Sequence, residues 1–418
     1  MAKRRLSIAV PEDPGRVARV RIKGFKSIAD QTIDLGRLNV FIGENGAGKS
    51  TVLEAIGLLG AAASGRVDAG ELMRRGVRAS ATHLLTTALG GRPPGERIEL
   101  TAESAGGVRY RVTLAPPREG WLPQLWRFTS ESVYSGLTEV FRRPRRAGNV
   151  KSAPGGVKLK HVIDPGIDVG ARAIGFSDSR TRDLFFSLND AVIFDPKTPM
   201  LRGVAPDPFH REPLGLEGGG LAQALKAVLT PEGGLGPLDS DELTALIPWA
   251  SSVAIGPSDL EIAPRSVPML NEVIRFVDRR MMSGRNIISA FDASEGALYV
   301  LFALTLLFHP FGPRLFGVEG LDHALHPRLA RALIRTMGQH VSSQEKQILL
   351  TTHNPLVLDG LDLGNKDVRL FTVERADSGE TLVRRVEHTE ALKKARASGA
   401  TLSQMWLQGL LGAVPDVW

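Results

Sequence analysis

The stretch Val40-Phe41-Ile42-Gly43-Glu44-Asn45-Gly46-Ala47-Gly48-Lys49-Ser50-Thr51 runs from an apolar strand through a glycine-rich turn into a helix that begins near Lys49. Gly43, Gly48, Lys49 and Ser50 meet the spacing G-x-x-x-x-G-K-[ST]. Leu38 to Ile42 reads as the preceding strand, and Thr51 to Leu59 has the spacing of the following helix. Without a Cβ, Gly43, Gly46 and Gly48 can take positive φ and let backbone N–H groups close around a phosphate. The helix N-terminus adds unpaired donors and the positive end of a dipole. Lys49 is the point charge for β- and γ-phosphates, and the Ser50 hydroxyl is placed to ligate Mg²⁺. Glu44, Asn45, Ala47 and Thr51 complete the loop, and the expected ligand is ATP with Mg²⁺. The alternative is a glycine-rich strand-to-helix turn with an incidental lysine.

Composition bounds what surrounds the loop. A chain of 418 residues with 43% hydrophobic content buries a large core and has room for two or three domains. The absence of cysteine excludes a disulfide framework and a cysteine-ligated metal site, and it fits a cytoplasmic location. The basic start Met1-Ala2-Lys3-Arg4-Arg5-Leu6 leads into Pro11, Glu12 and Asp13, so no signal-peptide core is expected. Ala297 to Phe308, the longest apolar run, is too short for a bilayer and suits a buried helix. The net charge of +7 favours an anionic partner such as nucleic acid, although richness in Arg, Ala and Gly also suggests the codon bias of a GC-rich genome. Arg142-Arg143-Pro144-Arg145-Arg146, with Lys151, Lys158 and Lys160, reads as a solvated basic loop or as a phosphate or partner contact.

In chain order, Arg16 to Ile22 alternates as a half-buried strand, Gly24 to Ile28 is a turn with buried Phe25 and Ile28, and Gln31 to Leu35 is a second strand. The run RIKGFKSIADQTIDLGRLNVFIGENGAGKSTVLEAI resembles the amino-terminal lobe of ABC-type ATPases of the SMC, RecF and OLD group. In that group a GFKS turn precedes a G-x-N-G-x-G-K-S loop. The implied fold is α/β: a P-loop NTPase with an ABC-type ATPase head, an inserted middle region and no long coiled coil, since no heptad pattern persists. Arg66 to Leu89 predicts one or two helices. Arg97 to Thr101 and Val108 to Leu114 predict a hairpin around Ala105-Gly106-Gly107. Ala191 to Phe194 reads as a short strand, and Leu221 to Leu229 and Ser240 to Trp249 read as helices.

The resemblance implies a signature turn, a Walker B strand and a switch histidine downstream, in that order. Asn286 to Phe291 is strand-like and leads to Ser294-Glu295-Gly296 at the head of the apolar helix, where the family caps the γ-phosphate of the opposite subunit. A plain N-cap serine with an acidic first turn is the other reading. Arg314 to Val318 is an apolar strand ending in Glu319, the Mg²⁺-side acid when the chain is aligned on Leu325-His326-Pro327. The position of the catalytic glutamate is then Gly320, which puts slow or partner-dependent hydrolysis on the table, with Asp322 as a substitute base or a structural residue. Gln347 to Thr351 is a strand, and His353 after it takes the place of the switch histidine or is simply a turn residue.

Val368 to Val373 and Thr381 to Val386 predict a hairpin, and the tail from Thr389 predicts two short helices whose Trp406 and Leu402 pack in a core or dimer. The tail resembles free-standing ATPases of bacterial anti-phage systems of the Septu-like kind, without the Toprim nuclease that OLD proteins carry. The expected organisation is an amino-terminal ATPase lobe (1–130), a middle region (131–285), a second ATPase lobe (286–388) and a helical tail (389–418). Expected partners are a second copy of the chain, a separate effector such as a nuclease, nucleic acid through the basic surface, and no membrane. A non-hydrolysing ATP-locked scaffold is the alternative to an ATPase, and a transporter's nucleotide-binding subunit fits the Ser-Glu-Gly signature and the GFKS lobe poorly.

Overall fold

The computed structural model describes residues 13–90, 95–117, 125–143, 151–152, 178–258 and 271–412. Pro144, Arg145, Arg146, Lys158, Lys160, Trp418 and the basic start of the chain lie outside the described residues.

Two sheets carry the molecule. One is antiparallel, in the order β2-β1-β4-β5-β6-β7-β8, from β1 (Val17–Phe25), β2 (Ile28–Asp34), β4 (Ile98–Ser104), β5 (Val108–Ala115), β6 (Arg127–Ser135), β7 (Thr138–Arg142) and β8 (Lys151–Ser152). The other has the order β16-β15-β3-β14-β13-β9. Its members are β3 (Leu38–Ile42), β9 (Val192–Phe194), β13 (Leu315–Val318), β14 (Gln347–Thr352), β15 (Val368–Arg375) and β16 (Thr381–Arg385). From β15 to β9 all neighbours are parallel, and β16 closes the edge as an antiparallel hairpin. A small antiparallel sheet of β10 (Ala250–Pro257), β11 (Glu272–Asp278) and β12 (Ile287–Ser289) lies in the second half.

Alternation along the parallel strands assigns their side chains to two cores, because successive residues point to opposite faces. On β3, Leu38, Val40 and Ile42 join one core, with Ile348 and Leu350 of β14 and Phe316 and Val318 of β13. Phe41 and Leu349 face the other core. The first core takes the helix Glu295–Phe308, whose twelve residues from Ala297 to Phe308 are all buried. Full burial is worth about 1.5–3 kcal/mol for each large apolar side chain, so one charge in this helix would cost several kcal/mol. The second core takes helix α1 (Lys49–Ala63) and the inner face of the antiparallel sheet, with Phe41 stacked on Phe371 at 4.9 Å between ring centres.

A buried glutamine joins the two sheets. Gln347, at the start of β14, donates to the carbonyls of Val17 and Gly36 at 2.7 and 2.8 Å and accepts from Val17 N at 3.1 Å.

Most elements follow the sequence reading, and the exceptions have local causes. The helix expected over 240–249 ends at Leu246, because Ile247 precedes Pro248 and leaves the α region at φ −129° and ψ 69°. The helix expected over 221–229 is Leu221–Lys226, after which Leu229 bridges to Leu235. Residues 131–285 are shared among the layers. β6 and β7 extend the antiparallel sheet, β9 is the edge of the parallel sheet, and β10 and β11 pair with β12. The longest described helix has 15 residues, so no coiled-coil arm is present among the described residues, and none of their helices is long and apolar enough to cross a membrane.

Candidate active site

In an open parallel sheet, side chains and loops at the carboxyl ends of the strands form the binding crevice. Here those ends line one cleft of 480 Å³. From β3 come Asn45, Gly46, Gly48, Lys49, Ser50 and Thr51; from β13, Glu319 and Gly320; from β14, Thr352 and His353. Asp195 and Lys197 follow β9, and Arg375 ends β15.

The glycines of the loop serve two different needs. Gly46 and Gly48 have φ of +81° and +107°, the left-handed region the turn requires. Gly43 is needed for space instead, since a Cβ there would lie 2.0 Å from the carbonyl oxygen of Val373 on the neighbouring strand. Lys49 Nζ donates to the carbonyls of Gly43 and Glu44 at 2.8 and 2.6 Å, which holds the ammonium at the mouth of the loop. Burial pulls the Lys49 pKa below its ordinary value, and the charges of Glu319, Asp322 and Glu44 oppose that shift.

The loop is braced from behind by the turn that precedes it in the chain. Ser27 Oγ lies 2.8 Å from Thr381 Oγ1, which donates to the carbonyl of Ala47 at 2.8 Å. Lys26 pairs at 2.5 Å with Glu54 on α1, a carboxylate that also accepts from Arg78 Nε at 2.7 Å. Both polar residues of the GFKS turn therefore hold the phosphate-binding loop or its helix in place.

Glu319 at the end of β13 is the acidic centre of the cleft. Burial pushes its carboxyl above the ordinary glutamate value, while a hydrogen bond with Ser50 and the charge of Arg78 pull it back. A hydroxyl and a hard carboxylate in contact, in surroundings that penalise the free charge, form a donor pair suited to Mg²⁺, which takes one or two protein oxygens and completes its shell with water and phosphate. No cluster of three His, Cys, Asp or Glu side chains able to hold a metal occurs among the described residues, so a cage made only of protein is not found there.

Other expected site residues take distinct places. His353 is exposed in the cleft, on a turn fixed by Thr352, whose hydroxyl accepts from Asn354 N at 2.9 Å and donates to Asp322 at 2.8 Å. Asp322 is thereby buried against Thr352 and does not line the cleft. His326 Nδ1 accepts from Arg328 N at 3.3 Å, and Pro327 opens the helix Pro327–His340, so the Leu-His-Pro motif is a helix start. Ser294, Glu295 and Gly296 are not brought to the cleft of their own chain. Ser294 precedes its helix without a side-chain capping bond, and its Oγ accepts from Trp249 Nε1 at 3.2 Å. Arg142 and Arg143 are held in ion pairs with Glu139 and Glu131.

Sequence reasoning did not find Asp195, Lys197, Arg78, Ser27, His323 or Arg375 in the cleft. For Asp195 a signal existed: it directly follows a short apolar strand, and carboxyl ends of parallel strands face the crevice.

Comparisons with known proteins bear on the fold and on parts of the chain. A family described as AAA domain, putative AbiEii toxin, Type IV TA system matches residues 182–359, and a family described as AAA domain matches residues 19–114. The DNA replication and repair protein RecF of Halothermothrix orenii is 45% identical over 60 residues, 14% of this chain and 16% of that protein, so the likeness spans a small part of both. An Smc head bound to the C-winged helix domain of ScpA superposes with a TM-score of 0.53 at 13% identity, covering 90% of this chain and 99% of that one. The SMC head domain from Thermotoga maritima aligns at 14% identity over 89% of this chain and 99% of that one, with a TM-score of 0.45. The fold is that of a P-loop ATPase head. Parts of the chain match AAA-domain families, and its fold resembles that of an Smc head.

Proposed function

We propose that this protein binds ATP with Mg²⁺ in the cleft, hydrolyses it slowly, and pairs head to tail with a second copy around the nucleotide. Lys49, Ser50 and the loop amides of Gly43 to Thr51 hold the phosphates, Ser50 and Glu319 hold Mg²⁺, and His353 senses the γ-phosphate. Ser294, Glu295 and Gly296 of one subunit complete the site of the other. The observation that carries this reading is the convergence of Lys49, Ser50, Glu319 and His353, from three parallel strands, on one cleft. The signature residues lie outside that cleft, which is what a shared site requires. By analogy with RecF and with the AbiEii-type family name, the protein acts as a sensing or gating subunit of a bacterial defence or DNA-maintenance complex, alongside a separate effector and nucleic acid.

A second reading has its own observation. Gly320 stands at the catalytic glutamate position with φ of +63°, a conformation other residues rarely adopt, so restoring a glutamate there would strain the turn. A non-hydrolysing scaffold that ATP locks together fits that departure. Steady-state and single-turnover hydrolysis by wild type and Glu319→Gln separate the two. Slow wild-type turnover that falls by about 10²-fold or more in the variant supports the ATPase. Turnover indifferent to Glu319→Gln sinks the site assignment, and tight ATP binding with no turnover favours the scaffold.

A further inference from the structure

The side chain missing at position 320 has a neighbour in its place. A Cβ built on Gly320 would lie 2.6 Å from both Nδ1 and Cε1 of His323, so an imidazole occupies the space where a longer residue would begin. Backbone geometry puts it there. The positive φ of Gly320 opens a turn that the His323 amide closes by donating to the Gly320 carbonyl at 3.1 Å, which folds His323 back over the end of β13. His323 is exposed and lines the cleft with Lys49, Ser50 and Glu319, its ring centre 5.2 Å from that of His353. Asp322, one residue earlier, is committed to the Thr352 hydroxyl at 2.8 Å. That bond ties the turn carrying His323 to the turn carrying His353.

We propose that His323 orients the attacking water and accepts its proton during ATP hydrolysis, in place of the carboxylate absent at residue 320. The inference rests on the hydrolytic reading of the cleft. A neutral imidazole has one ring nitrogen with a free lone pair, which is the acceptor this step needs. The water oxygen bonds to the γ-phosphorus as the bond from that phosphorus to the β,γ-bridging oxygen breaks. The bridging oxygen keeps the electron pair and leaves with ADP, the proton passes to the ring nitrogen of His323, and the imidazolium then releases it to solvent. A glutamate at position 320 and an imidazole folded over that position are two ways to bring a proton acceptor to this end of the cleft.

The test uses the full chain as wild type, His323→Ala, His323→Gln and Lys49→Ala, with Mg-ATP affinity measured by calorimetry beside steady-state rates. His323→Ala is expected to lower kcat by about 10²-fold with KM and calorimetric affinity unchanged, the usual scale for one general base. Free imidazole added to His323→Ala should return part of the rate and should do nothing for Lys49→Ala. His323→Gln, which keeps a polar side chain of similar reach but accepts no proton, should stay slow. If His323→Ala matches wild type while Lys49→Ala is dead, the role of His323 is refuted and the ATPase reading stands. A wild type no faster than Lys49→Ala overturns both. A slow His323→Ala that has lost ATP affinity, or that glutamine restores and imidazole does not, marks a structural residue and overturns the proposal.

Discussion

At the amino ends of β3 and β14, Asn39, Lys346 and Gln347 are buried and spend their polar atoms on backbone. Asn39 donates to the carbonyls of Gly36 and Ile348, Lys346 donates to Gly312 at 2.6 Å, and Gln347 binds β1. At the carboxyl ends of the same two strands, Lys49, Ser50 and His353 face a cleft, and β13 adds Glu319 there. The strands are common to both ends, so the difference lies in what the turns do. The amino-end groups close hydrogen bonds to nearby backbone, and Gln347 also joins the two sheets. Desolvation works against charge at both ends, on Lys346 as on Lys49 and Glu319, but Lys49 and Glu319 face an open cleft where a counter-charge from outside can reach them. One end of the sheet is thereby built for cohesion and the other for binding.

The comparison breaks most sharply on Lys49→Ala. Loss of a charge-assisted phosphate contact worth about 1.5–3 kcal/mol should weaken ATP binding by about 10- to 100-fold and abolish ATP-dependent dimerisation, with little change in thermal stability of the nucleotide-free protein. Calorimetry and sedimentation would report it, and retained tight binding would undo the division between the two ends.

Gln347→Leu should do the reverse. It leaves the Val17 N–H and two carbonyls without their partner in a buried place, so a loss of about 1–3 kcal/mol in denaturant unfolding is expected, with ATP affinity unchanged. A Gln347→Leu protein that unfolds normally but fails to bind ATP would show that the ends are coupled.

The third effect concerns pH. Burial lowers the Lys346 pKa to about 8 from an ordinary 10.5. Between those values the unfolded chain holds a proton that the folded chain has released, so this residue makes stability rise with pH over that window. Lys346→Met should flatten that part of the melting-temperature profile. An identical slope in both proteins would place the charge in water rather than in the sheet.

Much of the fold was readable because it depends on neighbours in the chain. The short apolar run of β3, the hairpin from Ile98 to Ala115 and the apolar helix before β13 each announce themselves within a dozen or so residues. The phosphate-binding loop was readable for the same reason: the glycines, Lys49 and Ser50 are contiguous, and the strand and helix that aim them adjoin them. Glu319 and His353 were found by their order after strands. Asp195 was not, because although its short strand was read, nothing local says that the strand pairs in parallel with β13.

The linear order of residues thus determined a P-loop, its flanking strand and helix, and the succession of later motifs, since strand periodicity, glycine freedom and helix polarity act over a few residues. Only the tertiary structure decided that Ser27 and Thr381, 354 positions apart, brace the loop together. It also decided that Asp322 turns inward to Thr352 while His323 turns toward the cleft. Those outcomes depend on how parallel strands are ordered and on the one positive φ at Gly320, and chain folding over hundreds of residues sets the first while packing against β14 stabilises the second.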